Sequence, residues 1–215
     1  MPIQYIAVLD REHLDNSVFL TAFAKSLAQH GSRKGIIVHS DSPYTDRLIQ
    51  TGMMREDARL RAIKDLNRRL VGLFADQGIS TIGVHGYQKG LIKKEAGTVQ
   101  LSKEVLNELH DSPHLLVSSL VEQDDEVVHV PLPEVVKVLS RSLDEPDVLL
   151  FSRKEKDEII LSDNNKEYRW EDLPTRFEEE TLPEEFQNFD FPVHVTTATA
   201  FAQWPNLKKV TKISP

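Results

Sequence analysis

The chain has 215 residues, 40 % hydrophobic and 28 % charged, and its 26 basic against 34 acidic side chains leave a net charge of −8 and a pI near 5.5. A chain of this length suits one domain and can bury a large core without staples. The absence of Cys excludes thiolate metal sites, disulfide frameworks and cysteine nucleophiles, the acidic balance argues against nucleic acid or an anionic membrane as the main partner, and no apolar run approaches the ~18–20 residues of a spanning helix.

Met1-Pro2-Ile3-Gln4 has neither a basic region nor a small-residue cleavage site, so a cytoplasmic protein is expected. Ile3–Leu9 reads as a buried strand, and Asp15-Asn16-Ser17 supplies a helix N-cap. Val18, Phe19, Ala22, Leu27 and Ala28 form the expected apolar face of that helix, and Gly31 stops it. Gly35–His39 is a second strand running into the turn Ser40-Asp41-Ser42-Pro43, with a helix from Pro43 or Tyr44. Glu56–Gln77 is the longest predicted helix, striped by Ala62, Ile63, Leu66, Leu70, Leu73 and Phe74 and ended by Gly78. Strands follow at Thr81–Val84, Gly97–Leu101, Leu115–Leu120, Val127–Val130 and Val148–Ser152, with helices at Lys103–His110 and Pro133–Leu143. Strands alternating with helices predict βαβ units and a mainly parallel sheet. The style then changes. Glu158–Leu161 and Glu167–Trp170 read as an antiparallel hairpin, Pro183 opens a short helix, and His194–Thr197 and Lys208–Ile213 are the last predicted strands. A single domain over residues 1–215 is expected, with 153–215 as a modified C-terminal third.

Glycine is informative by position. All nine lie between Gly31 and Gly97. A glycine-rich phosphate loop needs backbone that can approach oxyanions closely, and the 118 residues after Gly97 contain no glycine to build one.

The stretches IIVHSDSPYTDRL, DLNRRLVGLFADQGISTIGVHGYQKGLI, AGTVQLSKEVLNEL, LLVSSL and PDVLLFS resemble, in order, successive segments of the amino acid kinase family, closest to acetylglutamate kinases. The resemblance covers residues 3–152 and rests on motif order. It implies a three-layer α/β/α sandwich around a mainly parallel sheet, and transfer of the γ-phosphoryl group of ATP to a carboxylate or phosphate. Such transfer works by positioning and charge stabilisation.

Five of the parts that the resemblance implies are missing. Where the family has a Lys-x-Gly-Gly motif at the end of strand one, this chain reads Ile6-Ala7-Val8-Leu9-Asp10-Arg11, and its first lysine is Lys25. The triple-glycine loop after strand two is Ser40-Asp41-Ser42, whose Asp41 would repel phosphate by ~1–4 kcal/mol at 4 Å. The Asn-x-Asn-Ala-Asp segment is Val128-His129-Val130-Pro131-Leu132-Pro133. The nucleotide-lobe turn Thr-Asp-x-x-Gly is Phe151-Ser152-Arg153-Lys154-Glu155-Lys156, and the late Gly-Met-x-x-Lys element would fall in the glycine-free tail. One lost charge-stabilising group typically costs 10²–10³ in rate, so a catalytically degenerate kinase with no catalytic residues and no cofactor is expected.

His39 and His85 end strands at the edge where open α/β sheets bind ligands. The expected ligand-binding set is Ser40, Asp41, Ser42, Thr45, Arg55, His85, Gly86 and Lys89, with Arg55 matched to the family's substrate-carboxylate arginine. The competing reading makes these ordinary loop residues and Arg55 a solvated helix-start side chain. His110 and His114 are four apart, but Asp111-Ser112-Pro113 breaks the helix that zinc spacing needs, so no metal site is expected. No Gly-x-Ser-x-Gly elbow marks a hydrolase. Arg55, Arg59, Arg61, Arg68 and Arg69 read as an ion-paired face.

The leading function is therefore a ligand-binding or regulatory pseudoenzyme. The alternatives are a kinase with a remodelled site using Arg11, Lys89 and Lys93, with ATP and Mg as cofactors, and a structural subunit that dimerises through the helices around Thr45–Leu73. The partners expected are a small-molecule ligand and a second copy of the chain, not nucleic acid or membrane.

Overall fold

A computed structural model describes residues 3–31, 33–109, 114–144, 146–153 and 167–215. Its centre is the apolar strand β1 (Tyr5–Leu9), in which all five residues are buried. β1 pairs in parallel with β2 (Gly35–His39) on one side and β9 (Asp147–Phe151) on the other. Beyond β2 lie β6 (His114–Ser118) and β3 (Thr81–His85). Beyond β9 lie β11 (Val193–Thr196), β12 (Thr211–Ser214) and β10 (Glu167–Arg169), giving the order β10-β12-β11-β9-β1-β2-β6-β3. Every pairing in this sheet is parallel except β11 with β12. Continuous hydrophobic strands are what a sheet covered on both faces requires.

The alternation along β1 sorts the two faces. Tyr5, Ala7 and Leu9 face one core with Ile37, Leu116, Leu149 and Phe151, while Ile6 and Val8 face the other with Ile36, Val38, Val117 and Leu150. Helices α1 (Ser17–Leu27) and α3 (Arg55–Asp76) cover the first face through Phe23, Leu27, Leu66, Leu70 and Phe74. Helix α5 (Leu132–Ser142) covers the second through Val135, Val136 and Leu139. It is joined there by α6 (Thr175–Thr181) through Phe177. The result is the expected α/β/α sandwich. Each fully buried Leu or Phe adds ~1.5–3 kcal/mol. Gly35 serves this packing directly: the Tyr5 ring lies over it, 2.1 Å from where a Cβ would stand.

Local signals explain most helix ends. Asn16 caps α1, its Oδ1 accepting from the amides of Val18 and Phe19 at 3.1 and 3.0 Å. Ser102 caps α4 (Lys103–Glu108) in the same way. The short α2 (Tyr44–Gln50) starts directly after Pro43.

Several expectations need correction. The buried face of α1 is Phe19, Leu20, Phe23, Ala24 and Leu27, and Val18 is 73 % exposed. Leu115–Leu120 is not one strand: β6 ends at Ser118, and β7 (Leu120–Gln123) joins a separate four-stranded sheet. That second sheet has the order β5-β4-β7-β8, with β4 (Ile92–Glu95), β5 (Thr98–Leu101) and β8 (Glu126–His129), and was not foreseen. It packs Ile92 and Val121 into the same core as α5. In the C-terminal third, β10 pairs in parallel with β12, a pairing the residue pattern did not announce. The other arm of the expected hairpin, Glu158–Leu161, lies outside the described residues. Because β12 is antiparallel to β11, it offers β10 an edge running in β10's own direction.

Candidate functional site

The carboxyl tips of β1, β2, β6, β3 and β9 point to one edge of the sheet, where open α/β folds bind ligands. Two arrangements occupy this edge.

The first is neutral and built mainly of mutually bonded histidines and serines. At the end of β2, His39 is fully buried; its Nδ1 donates to the Ser40 carbonyl at 3.1 Å and its Nε2 accepts from Asn67 Nδ2 at 3.0 Å. A neutral imidazole fits these partners, whereas an imidazolium would face the Asn67 amide hydrogens. Burial, followed by the nearby His85, brings the His39 pKa down to about 4 against the favourable bond to Ser40. Ser119, just beyond β6, donates from Oγ to Ser40 Oγ at 3.0 Å, and Ser40 Oγ in turn lies 2.8 Å from His129 Nε2. Burial, and then the charge of Arg59, lowers the His129 pKa. Ser118, which precedes Ser119 and ends β6, meets His85 Nδ1 with its Oγ at 2.9 Å. Burial and the charges of Lys64 and Arg68 bring His85 down to about 4.

The predicted site residues thus fall into two groups. Ser40, Asp41, Ser42 and Thr45 form the turn after β2, where Ser42 Oγ accepts from the Tyr44 amide at 3.3 Å and Thr45 is buried. His85, Gly86 and Lys89 form the turn after β3. β6 separates the two turns, a gap of two strand spacings or roughly 10 Å. Ser118 and Ser119 connect the two groups. Sequence reasoning missed this pair, and its signal is the polar ending of an otherwise apolar strand, Leu115-Leu116-Val117-Ser118-Ser119.

Gly86 is where the chain passes from the large sheet to the small one. A Cβ there would stand 2.6 Å from the Leu120 carbonyl oxygen, while the Ile92 amide donates to the Gly86 carbonyl. Lys89 is exposed and 3.9 Å from Glu108. Arg55 is exposed at the start of α3 and does not join either group. His114 is buried on β6, and His110 lies outside the described residues.

The second arrangement, at the tips of β1 and β9, is charged and open. Asp10 follows β1 and is 3 % exposed. Its Oδ1 accepts from the His13 amide at 2.9 Å and lies 2.8 Å from His13 Nδ1, while His13 Nε2 donates to the Ser152 carbonyl at 3.2 Å. Burial works to raise the Asp10 pKa, but the bonds and charge from His13, together with Arg153, bring it below the ordinary carboxylate value. Arg11 binds Asp41 at 2.9 Å and also Asp46. Arg153 binds Glu12 at 3.2 Å. Asp10, Arg11, Glu12 and Arg153, with the segment Pro183, Glu184 and Glu185, wall a cleft of about 470 Å³. The side chain of Glu185 reaches solvent, yet the cleft wall and the charges of Asp10 and Asp41 push its pKa up to about 7. Sequence reasoning named Arg11 only as a kinase alternative, and nothing in the order of residues marks Glu185 as a neighbour of Asp10.

Neither family models nor curated proteins match the chain. Solved structures do. Over 99 % of its length the chain is similar to an aspartate kinase from Synechocystis, with a TM-score of 0.67 and 12 % identity, and spans 40 % of that protein. It is similar to an isopentenyl phosphate kinase over 98 % of its length and 99 % of the other chain, with a TM-score of 0.62 and 12 % identity. It also resembles an N-acetylglutamate synthase from Neisseria gonorrhoeae, solved with coenzyme A and N-acetyl-glutamate, with a TM-score of 0.64 and 11 % identity over 99 % of this chain and 59 % of that one. At such identities the likeness shows the fold. The chain therefore has an amino-acid-kinase-like α/β/α fold. Among the described residues no helix is long and apolar enough to cross a membrane.

Proposed function

We propose that this protein is an acetylglutamate-kinase-like pseudoenzyme, which binds a small ligand at the carboxyl edge of its sheet without transferring phosphoryl groups. The observation that carries this reading is the tip of β1. Where the resemblance implies a lysine, a buried carboxylate stands, Asp10. The adjacent cation, Arg11, is held by Asp41 and Asp46. A polyphosphate placed there would meet carboxylates before free cations, and like charges at contact cost several kcal/mol in a partly dry site (about 4 kcal/mol at 4 Å and an effective dielectric of 20).

The other cations that a remodelled kinase would use are also engaged. Lys93 pairs with Glu122 at 2.6 Å, and Lys89 lies near Glu108. The turn after β2 has side chains on Ser40, Asp41 and Ser42 where phosphate cradles have bare backbone. Each arrangement supports ligand binding without transfer.

The test is a turnover assay with purified protein, ATP and Mg²⁺, offering N-acetylglutamate, aspartate and glutamate as acceptors and following ADP. No ADP above the protein-free rate is expected. Acceptor-dependent ADP formation would overturn the reading, and its loss in Arg11→Ala would assign the transfer to the remodelled site.

A further inference from the structure

The cleft at the β1 and β9 tips contains a polar group with unmet bonding capacity. Asp10 Oδ1 accepts from the His13 amide at 2.9 Å, whereas Oδ2 is buried and has no hydrogen-bond partner. A buried carboxylate oxygen without a donor costs free energy comparable to a lost hydrogen bond. Such an orphan in a native structure calls for an explanation, and at the wall of a cleft a ligand's donor is one. Asp10 itself lines the cleft, so the missing donor can come from within it.

The charge of the walls says what kind of donor fits. Four carboxylates, Asp10, Glu12, Glu184 and Glu185, line the cleft against two guanidinium groups. Both guanidinium groups are already engaged, Arg11 with Asp41 and Asp46 and Arg153 with Glu12. Glu184 and Glu185 remain as anionic wall opposite Asp10. The raised pKa of Glu185, to about 7, has among its causes the charges of Asp10 and Asp41. Among the described residues no three side chains converge as metal ligands. The volume of about 470 Å³ admits a small molecule.

We infer that this cleft binds a small organic cation, a primary amine or a guanidine, whose N–H groups donate to Asp10 Oδ2 and whose charge is balanced by Glu185. The inference names a ligand class for the pseudoenzyme proposed above and rests on that reading. It places the recognition chemistry at Asp10 and Glu185. The charge is the opposite of what a phosphate site would need.

Isothermal titration calorimetry on the full chain at low ionic strength tests it, with putrescine and agmatine as cationic probes and inorganic phosphate and ATP as anionic ones. Both amines are expected to bind, and phosphate is not. Asp10→Asn keeps an oxygen for His13 but removes the charge, and should weaken amine binding roughly tenfold or more. Glu185→Gln lies on an exposed side chain, folds independently of the buried pair, and should weaken it severalfold. Amine affinity unchanged in Glu185→Gln, or no amine binding to the wild-type chain, overturns the inference while the absence of phosphoryl transfer stands. ADP formation in the turnover assay overturns the pseudoenzyme reading instead, whatever the amines do.

Discussion

The two halves of the sheet's carboxyl edge solve the same problem in opposite ways. At β2, β6 and β3 the buried groups are neutral and mutually bonded: His39 with Asn67, Ser40 with His129 and Ser119, and His85 with Ser118. At β1 and β9 the groups are charged, face a cleft, and leave Asp10 Oδ2 without a partner. Thr45 Oγ1 on the first side is also without a partner, but it is neutral and lines no described cleft, whereas Asp10 is a carboxylate at a cleft wall. A charged group with unmet bonding capacity beside a cleft is where a ligand gains the most by binding. The binding site we propose lies on the β1 side, while the histidines and serines of the other side bond one another across β2, β6 and β3.

The largest effect that would test this contrast is on stability. Gly86→Ala should cost about 2–4 kcal/mol, because its Cβ meets the Leu120 backbone carbonyl at 2.6 Å and backbone cannot step aside as a flexible side chain would. Denaturant unfolding would read this as a lower midpoint at unchanged slope. A loss under 1 kcal/mol would mean that the junction between the sheets is looser than the geometry requires.

Acid should move the two halves in opposite directions. The folded pKa of His39 is about 4 against about 6.5 unfolded, so the unfolded chain binds more protons as pH falls from 6.5 to 4. Stability then drops across that window by ~3 kcal/mol on account of His39 alone. His39→Gln should flatten this limb. For Glu185 the sign reverses. Its folded pKa of about 7 exceeds the ordinary 4.5, so the folded state holds the extra proton and stability rises as pH falls from 7 to 4.5. Glu185→Gln should remove that smaller gain, and melting temperatures between pH 8 and pH 4 would separate the two. Equal pH profiles for the wild-type chain and both variants would break the comparison.

The smallest effect concerns the bridging serine. Ser119→Ala removes one donor to Ser40 Oγ and should cost about 1 kcal/mol. Amine binding at Asp10 should not change, since Ser119 belongs to the other half.

Most of the large sheet was legible in residue order. Ile3–Leu9, Gly35–His39 and Val148–Ser152 are apolar runs bounded by turn chemistry, and each is a strand within two residues of its expected ends. The Asn16 cap and the Leu66, Leu70 and Phe74 stripe were equally clear. The second sheet was not, because Ile92-Lys93-Lys94-Glu95 carries too few apolar residues to announce a strand. Its pairing with β5 and β7 makes it one. The strand β10 was expected in place, but its parallel pairing with β12 was not legible, because pairing direction is a property of the neighbour and not of the three residues themselves.

Local chemistry in the sequence by itself determined the buried strands, the helix caps, the glycine-free second half and the carboxylate at the end of β1. These depend on side-chain size, polarity and backbone freedom over a few residues. Only the tertiary structure decided that Ser118 and Ser119 would connect His85 to Ser40, and that Glu185 would come to stand near Asp10. Residues 175 positions apart meet there because β11 inserts beside β9. No local pattern encodes a contact made by the order of strands in a sheet.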